Sequence, residues 1–303
     1  MRVLLLVNAT ASSVTARKRV LIRKTLAARH DVEVAETSRR GHATRLARAA
    51  ANDGFDVVAV LAGDGTLNEA ADGLLHTFTA LAPLPGGSTN VYARTLGVKQ
   101  DVMAATDDLL SSLDRRALKR IGVGIANRRP FLFNTGLGFD AAVIRRVERY
   151  GELKRYASHP LHVVAAFEAF LRKDGTESSL ELELDSGERI PDVRFGVVSK
   201  TSPYTYLGRI PVRLAPDAAL DRPLALTAFR RLDAVTLLGC AASALRSGKF
   251  LARRRGVEHR QDVRRILVRS PEPFPYQVDG DDAGDTEQLE IAFEPDALTL
   301  VIP

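Results

Sequence analysis

At 303 residues the chain is longer than one ordinary core and suits two domains, and 45% hydrophobic residues fit a globular protein. A single cysteine, Cys240, excludes an internal disulfide and a cysteine-based zinc site, so a reducing, cytoplasmic setting is expected. The net charge of +6 favours anionic partners such as nucleotides or acidic lipid headgroups, while the absence of an aromatic-rich RNA motif or a helix-turn-helix pattern argues against nucleic acid.

The first apolar run, Val3 to Val7, is shorter than an export signal's core and reads as a buried strand within 2–8. A helical period over 14–29 follows, then an alternating strand at 32–36, a helix over 42–53 and a buried strand at 56–61. The pattern continues with a helix over 66–76, a short strand at 80–84, and helices over 89–96 and 101–113. Strands alternating with helices of this length predict parallel βαβ units in a layered α/β domain. Beyond residue 117 strand-like runs cluster, at 117–126, 130–135, 180–185, 193–199, 210–215, 224–229, 264–269, 275–279, 287–293 and 298–302. Helices are expected at 139–149, 152–172 and 232–248. This half predicts a second, β-rich, sandwich-like domain. No apolar stretch reaches the length of a membrane span.

In an open parallel sheet, ligands gather at the carboxyl ends of the strands. Gly63-Asp64-Gly65-Thr66 stands at such an end. Glycines there allow close approach of a ligand and positive φ, and the N–H groups of the next helix favour an anion. Asp64 would repel a phosphate unless Mg²⁺ lies between them or the acid handles a hydroxyl proton. Asn68 and Glu69 can hold the loop or reach ligand hydroxyls. A plain alternative is a capping box, with Thr66 as cap and Glu69 three residues on. The loop after the next strand, Pro85-Gly86-Gly87-Ser88-Thr89-Asn90, and the loop "NATASS" at 8–13 make three small polar loops at one sheet edge. Together they point to a phosphate-binding mouth. There is no Walker A motif and no G-x-G-x-x-G after the first strand.

"AGDGTLNE", "PGGSTNVYAR", "FNTGLGFDAAV" and "VDGD" occur in the order found in the diacylglycerol kinase catalytic-domain family, which the chain resembles over nearly its whole length. That family includes soluble bacterial diacylglycerol kinases and sphingosine kinases; similar Asp-loops occur in NAD kinases and phosphofructokinases. The resemblance implies an ATP- and Mg²⁺-dependent lipid kinase of phospholipid biosynthesis, peripheral to an anionic membrane surface, with homodimers possible. Its lipid alcohol, diacylglycerol first, would be phosphorylated in a cleft between an α/β nucleotide domain (1–125, with 297–303 returning to it) and a β-rich lipid domain (126–296). Nucleotide residues carried over are Asn8, Ala9, Thr10, Ala11, Ser12, Thr37, Ala62, Gly63, Asp64, Gly65, Thr66, Asn68, Glu69, Gly87, Ser88 and Asn90, with Asp64 also near the metal. The family's proton acceptor maps to Asp281, with Asp279 beside it. Departures are Ala62 for Gly, Val91 for an acid, Asp281 for Glu, and Asp221-Arg222-Pro223 where bacterial members carry an Asp-Asp-Gly turn for a structural magnesium. A soluble-substrate kinase of the NAD kinase type and a non-catalytic nucleotide-binding regulator stay open as alternatives.

Overall fold

The computed structural model describes residues 1–8, 15–138, 141–142, 145, 179–230, 243–246 and 255–303. The chain divides into two compact units, Met1–Val123 with Pro295–Pro303, and Gly124–Glu294.

The first unit contains β1 (Arg2–Asn8), α1 (Ala16–Ala27), β2 (Asp31–Thr37), α2 (His42–Asn52) and β3 (Val57–Ala62). It continues with α3 (Asp64–Leu74), β4 (Ala80–Pro85), α4 (Val91–Thr95) and α5 (Val102–Asp114). Its strands pair in parallel in the order β2-β1-β3-β4, and the last residues of the chain add beside β4 through Thr299 and Leu300. β1 and β3 are apolar runs because both of their faces are covered, whereas the edge strand β2 keeps polar positions. Val3, Leu5, Val7, Val57, Ala59 and Leu61 pack with Ile22 and Leu26 of α1 and Leu109 and Leu113 of α5. Alternation along a strand sends Leu4, Leu6, Val58 and Val60 to the opposite face. There α2 and α3 cross so closely that a Cβ on Gly73 would lie 2.3 Å from the Thr44 carbonyl oxygen. Successive strands leave β1 on opposite sides, so the carboxyl ends of β1 and β3 form the topological switch point at which such sheets bind ligands.

In the second unit the strands are β6 (Arg129–Phe131), β7 (Asn134–Gly138), β8 (Leu180–Leu184), β9 (Arg189–Val193), β10 (Phe195–Ser199), β11 (Thr205–Leu207) and β12 (Ile210–Val212). They are followed by β13 (Leu224–Phe229), β14 (Val257–Val263), β15 (Arg265–Val278) and β16 (Asp281–Val301). The unit boundaries fall within β5 (Leu118–Ala126) and within β16. The pairs β7–β10, β10–β13, β13–β14, β11–β12, β15–β16, β7–β15, β8–β15, β5–β6 and β8–β9 are antiparallel. β15 pairs with β8 in its first half and with β7 in its second, with an irregularity between Arg269 and Phe274. This fork makes two layers, and Leu182, Ile190, Val198, Leu226, Ile266 and Phe274 fill the core between them. The fold class is therefore the mixed one that the sequence pattern predicts, α/β followed by a β-rich sandwich.

Several details differ from expectation. The run at 130–135 is two strands, because residues 132–133 turn to reach Asp279. The runs at 264–269 and 275–279 are one strand, and those at 287–293 and 298–302 belong to one strand that enters both units. β9, β11 and β14 carry polar residues on their open faces and escape a hydrophobic-pattern reading. The helices expected at 139–149, 152–172 and 232–248, and Cys240, lie wholly or mainly outside the described residues.

Candidate active site

The amino-terminal unit carries a candidate site at a set of strand ends. Asn8 closes β1 opposite Thr37, the last residue of β2. The Asn8 side-chain amide donates to the Thr66 hydroxyl at 3.1 Å, linking the end of β1 to the first turn of α3. α3 starts at Asp64, two residues before the spacing predicts, with Gly63 at its N-cap. Thr66 is therefore inside the helix and the capping-box alternative fails. Glu69 instead accepts the backbone N–H of Ala43 at 3.3 Å, joining α3 to the start of α2. Asn68 is buried. Ala9, Thr10, Ala11 and Ser12 lie outside the described residues.

Close approach, rather than positive φ, explains the loop glycines. Gly63 is extended, at φ −86° and ψ 177°. A Cβ on Gly86 would come within 2.6 Å of the Ala62 nitrogen, and one on Gly87 within 2.7 Å of the Gly63 Cα. The Gly86 N–H donates to the Ala62 carbonyl at 3.0 Å, so the two loops meet backbone to backbone. Gly65 is exposed and has nothing within 4 Å of a Cβ, which leaves open space over the first turn of α3. Ala62 ends β3 in strand backbone, which accommodates its methyl group. The left-handed residue is Asn90, at φ 50°. Its side chain brackets Gly87, accepting the N–H at 2.8 Å and donating to the carbonyl at 3.0 Å. Ser88 is left exposed at the loop's tip.

Asp64 ties these loops together. One carboxylate oxygen accepts the Val91 N–H at 2.8 Å and the other the Tyr92 N–H at 3.0 Å, at the start of α4. Burial raises its pKa above the usual carboxylate value, and the N–H groups of Tyr92 and Val91 offset part of that rise. Because Val91 contributes only its backbone, replacement of an acid there leaves this contact intact. Each carboxylate oxygen accepts one backbone N–H and keeps a second lone pair. Among the described residues no group of three His, Cys, Asp or Glu could hold a metal.

The carboxy-terminal unit carries a separate set of candidates, at a hairpin turn. Val278 pairs with Asp281, and between them Asp279 and Gly280 have φ of 49° and 84°. Two left-handed residues make the two-residue hairpin for which Asp-Gly is favoured. The Asp279 carboxylate accepts three backbone N–H groups, from Leu132 at 2.7 Å, Phe133 at 3.0 Å and Asn134 at 2.9 Å. Gln277 completes the support, accepting from the Gly280 N–H at 2.8 Å and donating to the Asn134 side-chain oxygen at 2.9 Å. Asp279 thus holds the turn, while the next acid, Asp281, keeps a side chain 30% exposed and pairs with Arg129 at 2.6 Å. Arg145 grips the following residues through Asp282 at 2.8 Å and Asp285 at 2.8 Å, and the two carboxylates raise its pKa further.

Arg129 is the functional candidate that sequence reasoning missed. Its only signal was a place beside "FNTG" in the sequence, and Asp281 lies more than a hundred residues away. Part of the chain's positive charge is paired within the fold: Arg145 as above, Arg230 with Glu258 at 3.4 Å and Arg265 with Glu290 at 2.6 Å. No helix among the described residues is long and apolar enough to cross a membrane.

The loops at 62–66 and 85–90 thus belong to one supported constellation at the ends of β3 and β4, and the family comparison falls on them. Residues 2–121 match the diacylglycerol kinase catalytic domain. That match places the chain among kinase-type phosphotransferases. A relative named diacylglycerol kinase, from Bacillus subtilis (strain 168), is 26% identical over 259 residues, covering 82% of this chain and 78% of the relative. A crystal structure of a diacylglycerol kinase from Bacillus anthracis str. Sterne has a TM-score of 0.73 at 21% identity, over 100% of this chain and 97% of that one. An NAD kinase from Archaeoglobus fulgidus, solved in complex with ATP, has a TM-score of 0.54 at 12% identity, over 99% of this chain and 93% of that one. The two structures show that the diacylglycerol kinase and NAD kinase folds are shared.

Proposed function

We propose that the chain is an ATP-dependent lipid kinase acting on the hydroxyl of a membrane lipid, with diacylglycerol as the first candidate. The observation that carries this reading is the Asp64 tie: the loops after β3 and β4, inside the family match, are held by one carboxylate and abut where no Cβ fits. In this reading Asn8, Thr37, Ala62–Thr66, Asn68, Glu69, Gly87, Ser88 and Asn90 hold the nucleotide, through backbone N–H groups where the glycines allow close approach. Asp64 positions α4 through its two backbone contacts. Any Mg²⁺ would come with the triphosphate and neutralise its charge.

Asp281 takes the alcohol's proton as the hydroxyl oxygen bonds to the γ-phosphorus and the bond from that phosphorus to the β-bridging oxygen breaks, releasing ADP. A carboxylate is a weak base, so proton transfer is late in the step. Arg129 aims the carboxylate, and Asp279 fixes the turn that presents it. The chain's excess positive charge draws it to anionic membrane surfaces, where the lipid resides.

The test is transfer of labelled phosphate from ATP into diacylglycerols, sphingoid bases, ceramides and phosphatidylglycerol, with NAD as the competing acceptor. Label in one lipid class, faster in anionic than in neutral vesicles and slowed by salt, is expected. Label in NAD alone, or no transfer to any acceptor, would overturn the proposal.

A further inference from the structure

The family resemblance implies a structural magnesium at the turn that here reads Asp221-Arg222-Pro223, and the residues present do not fit one. Lys200 follows β10 and is 1% exposed. Its ammonium donates to the carbonyl oxygens of Ala219 at 2.9 Å, Leu220 at 3.0 Å and Arg222 at 3.0 Å. A neutral amine has two N–H bonds, so three acceptors call for the charged form with three. The Phe293 ring centroid lies 5.5 Å from the same nitrogen, within cation–π range. Arg222 turns its guanidinium away from the turn, onto Asp262 at 2.9 Å and Gln261 at 3.2 Å. A metal ion on these carbonyls would have to displace a buried positive charge.

We propose that Lys200 is a tethered cation: its ammonium occupies the carbonyl-lined turn at 219–222 from within the chain and makes the turn's structure independent of metal. The consequence reaches the hairpin acids. The backbone N–H of residue 200 donates to the Phe133 carbonyl at 2.8 Å, and Leu132, Phe133 and Asn134 are the residues whose N–H groups Asp279 holds. The ammonium therefore anchors, at the turn, the residue whose backbone adjoins the 132–134 segment.

Thermal unfolding without nucleotide tests this. In the wild-type protein, adding Mg²⁺ or Ca²⁺, or a chelator, should shift Tm by less than about 1 °C, well below the 2–4 °C expected per kcal/mol at this size. Lys200→Met should lower Tm by about 6–12 °C, because it removes the one charged donor shared by three part-buried carbonyls. Lys200→Ala should recover part of its loss in methylammonium chloride but not in tetramethylammonium chloride at equal ionic strength, since the latter has no N–H to donate. A chelator-sensitive wild type, a Lys200→Met variant as stable as wild type, or equal recovery in both salts would each overturn the proposal. If neither variant folds, the wild-type chelator experiment still decides.

Discussion

In the amino-terminal unit Asp64 receives two backbone N–H groups from the start of α4, and in the carboxy-terminal unit Asp279 receives three from residues 132–134. Both carboxylates fasten one segment to another across a long sequence separation. The glycines beside them differ. Gly86 and Gly87 are required because another backbone occupies the space of a Cβ, whereas Gly280 has open space and is required for its φ of 84°. An acid beside a loop glycine thus serves as scaffold in both units. The proton acceptor proposed above is the next acid, Asp281, which pairs with Arg129 at 2.6 Å and keeps a side chain 30% exposed.

The largest effect should come from breaking the stronger tie. Asp279→Ala leaves three buried N–H groups without their charged acceptor and should cost about 3–5 kcal/mol, read as a lower denaturation midpoint. An unchanged midpoint would mean the turn is held by its other bonds, those of Gln277 and Asn134. Next, Gly86→Ala should push the two amino-terminal loops apart, at about 1–3 kcal/mol. If that strain falls on nucleotide binding, the Kd for ATP rises by about 10- to 100-fold. Gly65→Ala, with open space around it, should leave the melting temperature unchanged. Equal destabilisation by both substitutions would refute the distinction drawn between the glycines.

The smallest effect concerns pH. His259 is buried, with Nδ1 3.0 Å from the Thr227 hydroxyl. That hydroxyl donates to the Leu214 carbonyl at 3.1 Å, so Nδ1 carries the proton in the neutral ring. Burial lowers its pKa below the ordinary 6.5, although Asp217 pulls the other way. The unfolded chain then binds the proton more readily, so stability falls as pH drops below 6.5 and reaches its plateau above it. His259→Gln should flatten that slope in denaturation curves measured across the window. A slope of the same size in the variant would assign it to other groups.

The amino-terminal unit was legible because its strands are continuous apolar runs and its helices have apolar faces, both signals local to the sequence. Gly63, Asp64 and Gly86 stood out in the sequence, but the backbone contacts that constrain them were not readable there. The capping-box alternative failed since Thr66 and Glu69 bond to Asn8 and Ala43, partners no local pattern names. In the carboxy-terminal unit "VDGD" announced a turn, yet the division of labour between Asp279 and Asp281 depends on residues 129–134. Lys200 gave no signal at all: a lysine after an apolar strand looks like a solvated end until three carbonyls are found around it.

The most direct test of the account is Asp281→Asn, assayed for ATP binding by calorimetry and for phosphoryl transfer to lipid. A loss of turnover of about 100- to 10,000-fold, with the Kd for ATP within about twofold of wild type, is the predicted result. Near-normal turnover would contradict the assignment of Asp281 as the proton acceptor.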